Sequence, residues 1–508
     1  MYGIYSSRKV LFPVKTFKVW REIFLDNYIL FFNLLKTKKV RVILTAKRIS
    51  GSYRDPNGQV YFDENNKIYR TINSSMIQTY KKMKADGIIN ASIDAGYLVF
   101  TQEISSEELR QQFDTPYVLQ HEKIPYITYP YEWSFHELKA AALFHLEFQK
   151  FLLDRNYTLS DATAYNIQFI GHKPIFIDVL SIIPYQKESL WLGYQQFLEQ
   201  FLNPLLLSSL KGIPFNSWYR GSLEGISTTD LLSTLSIKQK LNWRILLFLT
   251  LYQKAENKVV KKPEEALKKI VANQKGIPKK SLISMLTQLH SWIKKLEPVD
   301  KITVWSDYAD INTYDNQERD IKAQFVSEFV ARNKLKTLVD LGCNTGDYSQ
   351  AAIEGGAEYV IGFDFDHQAL SKAYLRSVAK NLCFLPLWLD ASNPSPSQGW
   401  LESEREGFSN RFQTDGVIAL AFEHHLAIAK NIPLEQVIMW ITSIARYGVI
   451  EFVPKNDPTV LQMLSTREDI FPNYNQSSFE IALSKLSTII NKEVISKSGR
   501  ILYEYKRS

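Results

Sequence analysis

Hydrophobic and polar positions along the chain fall into different rhythms. From Ser134 to Leu153, residues of buried type recur at helical spacing (Leu138, Ala141, Ala142, His145, Leu146, Phe148, Phe151, Leu152), which predicts a long buried helix. Residues 41–120 read instead as short strands with turns. There, Val60–Phe62 and Lys67–Ile72 flank Asp63-Glu64-Asn65-Asn66 as a hairpin, and Tyr97–Thr101 is another strand. Residues 191–211 form an apolar core helix, and residues 236–297 read as a helical, lysine-rich connector broken at Pro263 and Pro278. Beyond Lys336, short apolar runs of buried-strand type alternate with helical stretches.

The sharpest of these stretches is 336–366. A β-branched strand, Lys336–Leu341, stops at Gly342-Cys343-Asn344-Thr345-Gly346. A helix runs from about Tyr348 to Ile353, Gly355-Gly356 breaks it, and a second apolar strand, Tyr359–Phe365, carries Asp364 and Asp366 at its tip. Strand, glycine turn, helix and strand with an acidic tip make one nucleotide-binding half of a doubly wound α/β sheet. Glycines let backbone approach a ligand where a Cβ would collide, and a carboxylate at a strand's end can accept both hydroxyls of a ribose. A dinucleotide G-x-G-x-x-G would need glycines where this chain has Asn344 and Asp347, so that fingerprint is absent. Further strands are expected at Cys383–Asp390, Asp415–Ala421 and Tyr447–Val453. A terminal hairpin is expected from Glu493–Ser496 and Ile501–Tyr505 around Lys497-Ser498-Gly499-Arg500.

Composition narrows the class. At 508 residues the chain exceeds one core, and hydrophobic content of 45% marks it as globular. Two cysteines, Cys343 and Cys383, make neither a disulfide framework nor a zinc site, which points to a reducing cytoplasm. No signal peptide is recognisable, and the most apolar stretch, Ile23–Leu35, is too short for a bilayer of roughly 30 Å, so no membrane span is expected. Net charge is a mild +8. The basic runs, Lys36–Arg41 and Lys254–Lys280, lack regular aromatic platforms and read as solvated faces, which disfavours a nucleic-acid partner.

In the first half, Asp161, Asn166, the strands Ile167–Ile170 and Pro174–Ile177 around Gly171-His172-Lys173, and Asp178 follow one another after the long helix. This order resembles the protein-kinase catalytic loop and metal-binding Asp. The resemblance implies a kinase-like α+β fold in which Asp161 matches the base, while Asn166 and Asp178 are magnesium ligands if nucleotide binds. Leu159 stands in place of the usual His, and Val179-Leu180 replaces Phe-Gly. Gly51, Gly58 and Arg70 are the nearest candidates for the missing glycine loop and lysine. Weak Mg-ATP binding at Asp161, Asn166 and Asp178 is the most that this pattern implies; the alternative is that these residues cap turns and bind nothing.

In the second half, D-x-G-x-x-x-G with a second-strand acid resembles motif I of class I S-adenosylmethionine-dependent methyltransferases. That family has a Rossmann-like seven-stranded sheet closed by an antiparallel hairpin. The resemblance implies S-adenosyl-L-methionine as cofactor, bound through Asp340, Gly342, Asn344, Gly346, Asp364 and Phe365, with Asp390-Ala391 at the adenine. Trp305, Tyr308 and Tyr314 are candidates for a lid or for plain packing. Glu423, His424 and His425 follow the fourth strand, where acceptors sit, and are the catalytic candidates; no dedicated metal site is expected, because a third ligand at compatible spacing is missing. The joint pattern of YPYEW (129–133), LSDATAYNIQF (159–169), WLGYQQFLEQFLNPL (191–205), NPSP with Gly399-Trp400, and EFVPKNDP (451–458) resembles bacterial methyltransferases related to nodulation proteins. The expected division is an N-terminal helical segment (1–40), a kinase-like domain (41–235), a helical connector (236–300) and a methyltransferase domain (301–508). The expected function is methyl transfer to an unidentified acceptor, such as a hydroxyl of a saccharide or small metabolite, with the first half recognising it. The alternatives are a bifunctional kinase and methyltransferase, or a non-catalytic adaptor that binds the cofactor.

Overall fold

The computed structural model describes residues 46–186, 191–254, 277–299 and 316–508. The expected N-terminal helical segment, the apolar stretch 23–35, the basic run 36–41, Pro263, Trp305, Tyr308 and Tyr314 lie outside the described residues.

The first half is built on an antiparallel sheet of β1 (Lys47–Arg48), β2 (Val60–Phe62), β3 (Ile68–Thr71), β4 (Thr101–Ile104) and β5 (Val118–His121), in the order β1-β2-β3-β5-β4. The β2–β3 hairpin turns where expected. Asp63 Oδ1 accepts the amides of Asn65 and Lys67, and Asn66 takes the left-handed conformation that asparagine tolerates. Elsewhere in residues 41–120 the all-strand expectation is wrong. Helices occupy Ile77–Ala85, Ile88–Asp94 and Glu107–Gln112. Met76, Tyr80 and Met83 are buried at helical spacing, a period that the intervening lysines disguise. The expected strand at Tyr97–Thr101 also shifts: only Thr101 enters a ladder, while Leu98 makes a single bridge to Phe176.

The long helix is Phe135–Asp154, started by a capping box in which Ser134 Oγ accepts the Glu137 amide and Glu137 Oε2 accepts the Ser134 amide. Two antiparallel pairs follow, β6 (Tyr157–Leu159) with β9 (Ile182–Pro184), and β7 (Ile167–Ile170) with β8 (Lys173–Phe176). The apolar 191–211 stretch is helical from Tyr194 to Lys211 but passes through a π turn at Leu198–Leu202. Pro204 has no amide hydrogen to continue the ladder there, and the Glu199 carbonyl accepts the Ile226 amide.

The second half is one seven-stranded sheet of β10 (Thr337–Leu341), β11 (Tyr359–Asp364), β12 (Phe384–Trp388), β13 (Gly416–Ala419), β14 (Tyr447–Phe452), β15 (Ser487–Val494) and β16 (Ile501–Arg507). Its order is β12-β11-β10-β13-β14-β16-β15. Strands β10 to β14 run parallel, and the β15–β16 hairpin closes the sheet antiparallel. Crossovers run to one side of β10 and then to the other, so the carboxyl ends of β10, β11 and β13 open a crevice.

Alternation along these strands divides the core. Leu338, Val360, Phe384, Ile418 and Val449 pack with Phe325, Val326, Phe329 and Val330 of the helix Asn316–Asn333. Val339, Ile361, Leu385, Val417 and Ile450, on the other face, join one apolar cluster with the long helix of the first half. The two halves are also tied by polar contacts. The Arg411 guanidinium pairs with both Glu132 oxygens, donates to the Ile127 carbonyl at 2.7 Å, and lies 4.6 Å from the Tyr129 ring centre, with both side chains of the ion pair 3% exposed. The Glu406 amide donates to Tyr129 Oη, Arg405 stacks on Tyr165 at 4.2 Å, and Arg54 pairs with Glu404. All of these second-half residues lie in the 389–415 segment between β12 and β13.

Candidate functional site

At the end of β10 the chain must turn sharply. Gly342 (φ 75°) and Asn344 (φ 48°) adopt left-handed backbone, and the amides of Gly342 and Cys343 both donate to the Phe363 carbonyl. A Cβ on Gly342 would sit 3.0 Å from the Phe422 ring. Gly346 (φ 83°) begins the helix Asp347–Glu354, and a Cβ there would strike the Phe384 ring at 2.5 Å, so close packing on β12 requires this glycine rather than approach to a ligand.

The crevice forms a cavity of about 720 Å³. Of the residues singled out from sequence, Gly342, Asn344, Asp364, Phe365, Asp390, Ala391 and His425 line it; Asp340, Gly346, Glu423 and His424 do not. Asp340 is buried and accepts the Ser349 hydroxyl at 2.6 Å, tying β10 to the following helix, and burial pushes its carboxyl up to about 7. Asp364 is half-buried. Its Oδ2 accepts the Asn344 amide at 2.8 Å and its Oδ1 the Asp366 amide at 2.9 Å, and the Phe365 amide also bonds the carboxylate, so backbone groups hold it in place; burial raises it to about 6. Asp366 instead caps the helix His367–Ala379 through the Gln368 and Ala369 amides. Asp390 Oδ1 accepts the amide and hydroxyl of Ser392.

The opposite wall begins at Ala421 (φ 48°), left-handed without being glycine. Sequence reading missed what holds this turn. The Glu451 carboxylate on β14 accepts the Ala421 amide at 2.8 Å, the Lys322 ammonium at 2.8 Å and the Arg500 guanidinium at 3.3 Å, and the three charged side chains are buried. Burial alone would raise Glu451, but Lys322 and Arg500 hold it below the usual carboxylate range. Burial also lowers Lys322, which lines the cavity. A lone glutamate in the apolar run YGVIEF was the available signal. Glu423 has no free face toward the cavity. Its oxygens accept the Val453 amide, the Tyr474 hydroxyl, and both the amide and Nδ1 of His424. His425, next along, lines the cavity, and burial, then His424 and Arg500, keep its imidazole well below its usual value and therefore neutral at pH 7.

In the first half, the side chains of Asp161, Asn166 and Asp178 meet. Asn166 Nδ2 donates to Asp161 Oδ1 at 3.2 Å and to Asp178 Oδ2 at 3.4 Å, and Ser181 Oγ donates to Asp178 at 2.6 Å. Arg70 on β3 bonds Asp178 at 2.8 Å and also Asp55. Burial and Asp178 push Asp161 up to about 6. Among the described residues, no group of three or more His, Cys, Asp or Glu is arranged to hold a metal, and no helix is long and apolar enough to cross a membrane.

No protein-family model matches the chain. Among solved structures, magnesium protoporphyrin IX methyltransferase from Synechocystis PCC 6803 with bound SAM is 17% identical, covering 41% of this chain and 86% of its own, with a TM-score of 0.28. The N-methyltransferase NodS from Bradyrhizobium japonicum WM9 is 12% identical over 38% of this chain and 98% of its own, also with a TM-score of 0.28. Likeness at this level adds nothing to what the strand order itself shows. Sequence similarity reaches much further: the nodulation protein NoeA of Rhizobium meliloti (strain 1021) is 49% identical over 463 residues, 91% of this chain and 96% of that protein. With identity at that level along nearly the full length of both chains, this protein belongs to the NoeA nodulation-protein family.

Proposed function

We propose that this protein is an S-adenosylmethionine-dependent methyltransferase whose acceptor presents a hydroxyl, as a saccharide or small metabolite does. One observation carries the reading: Gly342, Asp364 and Asp390 line one cavity at the switch point of a seven-stranded sheet of order β12-β11-β10-β13-β14-β16-β15. The residues fit the cofactor. Asp364 presents a carboxylate oriented by backbone amides at the cavity wall for ribose hydroxyls, Asp390 and Ala391 lie at the neighbouring strand end, and 720 Å³ suits a ligand of that size. When bound, S-adenosylmethionine supplies an activated sulfonium methyl group. The chain's own part is to hold donor and acceptor in line and to exclude water. His425, neutral and at the cavity wall, takes the acceptor proton at an imidazole nitrogen; Glu423 and His424 shape the turn that carries it. The test is transfer of labelled methyl into fractionated host extract by wild type and by His425→Ala. Incorporation that falls about 100-fold in the variant, at unchanged cofactor affinity, supports the base; no incorporation despite tight cofactor binding favours a non-catalytic adaptor.

We read the first half as a kinase-like region that recognises the acceptor rather than phosphorylating it. Arg70 supports this, because Asp178 already has a buried cation as partner. Stabilisation by Mg-ATP without phosphate transfer fits this role; transfer that vanishes in Asp161→Ala would make the chain a bifunctional kinase and methyltransferase.

A further inference from the structure

The connector presents a face that the methyltransferase reading leaves unused. A helix runs from Trp243 through a π turn at Leu246–Thr250 to Lys254, preceded by the short helix Ile237–Lys240. Its inner side is anchored. Ile245, Phe248 and Leu249 are buried, Phe248 stacks on Trp292 at 5.9 Å, and the Tyr194 hydroxyl donates to the Phe248 carbonyl. Its outer side is apolar as well. Trp243, Leu247 and Leu251 follow one another at four-residue spacing and are 57%, 46% and 51% exposed, and Leu246 beside them is exposed too. Ile237 and Leu241, one turn apart on the approach, are 80% and 72% exposed. Scattered exposed apolar residues are ordinary, but six large ones within fifteen positions are not.

Along the segment that carries this ridge the charge has one sign. Lys238, Lys240, Arg244 and Lys254 accompany it, and no Asp or Glu occurs between Asp230 and Glu256. A second copy of the chain would bring four cations against four, so self-association through this face is disfavoured. A protein groove would have to be anionic and apolar together. A bilayer surface supplies both at once, with phosphate headgroups outside and acyl chains a few ångströms below, and tryptophan sits at that boundary. We propose that residues 237–254 dock this protein on the surface of an anionic membrane, with Trp243, Leu247 and Leu251 entering the headgroup layer and Lys238, Lys240 and Arg244 pairing with lipid phosphates. The attachment is peripheral and independent of the methyltransferase assignment.

The test is co-sedimentation of the full chain with vesicles of phosphatidylglycerol and phosphatidylcholine, against phosphatidylcholine alone, at low and high salt. Partition into the anionic vesicles, weakened by salt, is expected. Trp243→Glu/Leu247→Glu should abolish it, and Lys238→Gln and Lys240→Gln should each lower it about fivefold. Trp243, Leu247 and Lys238 face solvent, so the thermal midpoints of those variants should stay unchanged and serve as the control for folding; Lys240 is half-buried. Equal partition of wild type and both sets of variants would overturn the proposal, as would no partition into anionic vesicles. A dimer in sedimentation equilibrium that Trp243→Glu/Leu247→Glu dissociates would overturn it in favour of a second copy.

Discussion

The two halves each gather aspartates and an asparagine at a strand end, and they treat them in opposite ways. At the crevice, Asp364 is oriented by the backbone amides of Asn344, Phe365 and Asp366 and lines the open cavity. In the first half, Asp178 is bonded by Arg70, Ser181 and Asn166 side chains, and Asp161 shares two of them. Amides fix a carboxylate without neutralising it, whereas a buried guanidinium supplies the counter-charge a ligand would otherwise bring. Residue types alone therefore do not make a site; what else bonds to them decides whether a ligand has anything to do.

The largest expected effect tests whether the halves are energetically one unit. Arg411→Ala leaves the Glu132 carboxylate buried without its partner and should cost about 3–5 kcal/mol of unfolding free energy in urea. The double variant Arg411→Met/Glu132→Gln should lose less, because no uncompensated charge remains. Equal losses would mean that the ion pair is incidental to the join. Next, Asp364→Ala should weaken S-adenosylmethionine binding by about 1.5–3 kcal/mol in calorimetry, the worth of hydrogen bonds to a charged acceptor; unchanged affinity would remove the ribose assignment.

A smaller effect separates the two carboxylate environments by pH. Asp364 titrates near 6 in the free protein, and donated ligand hydroxyls favour its ionised form. Affinity should therefore be flat above that value and fall on acidification, about tenfold between pH 7 and pH 5, with the dependence absent in Asp364→Asn. The smallest change sharpens the contrast from the other side. Ser181→Ala removes one hydrogen bond to Asp178 and should cost about 1 kcal/mol of stability with cofactor affinity unaltered. A larger loss, or an effect on cofactor binding, would show that the first-half cluster communicates with the crevice.

Much of the second half is legible in the sequence, because parallel strands buried on both faces leave nearly continuous apolar runs, and their glycine turns and acidic tip are punctuated in sequence. Even so, Gly346 was expected to clear space for a ligand and instead clears space for Phe384, and Asp340 turned inward to Ser349. In the first half, hydrophobic alternation misled. Residues 41–120 read as short strands with turns, yet Ile77–Ala85 and Ile88–Asp94 are helices, too short to carry a strong period.

The sequence by itself determined the order of elements in the sheet half and the long helix after Ser134, both of which depend on spacing along a local run. Which of three adjacent residues, Glu423, His424 and His425, meets the cavity depended on Val453 and Tyr474, both distant in the chain. The same holds for Lys322 and Glu451 across the Ala421 turn, and for Arg70 beside Asp178. Buried charges find partners through the packing of whole elements, and no periodicity along the chain records which partner that will be.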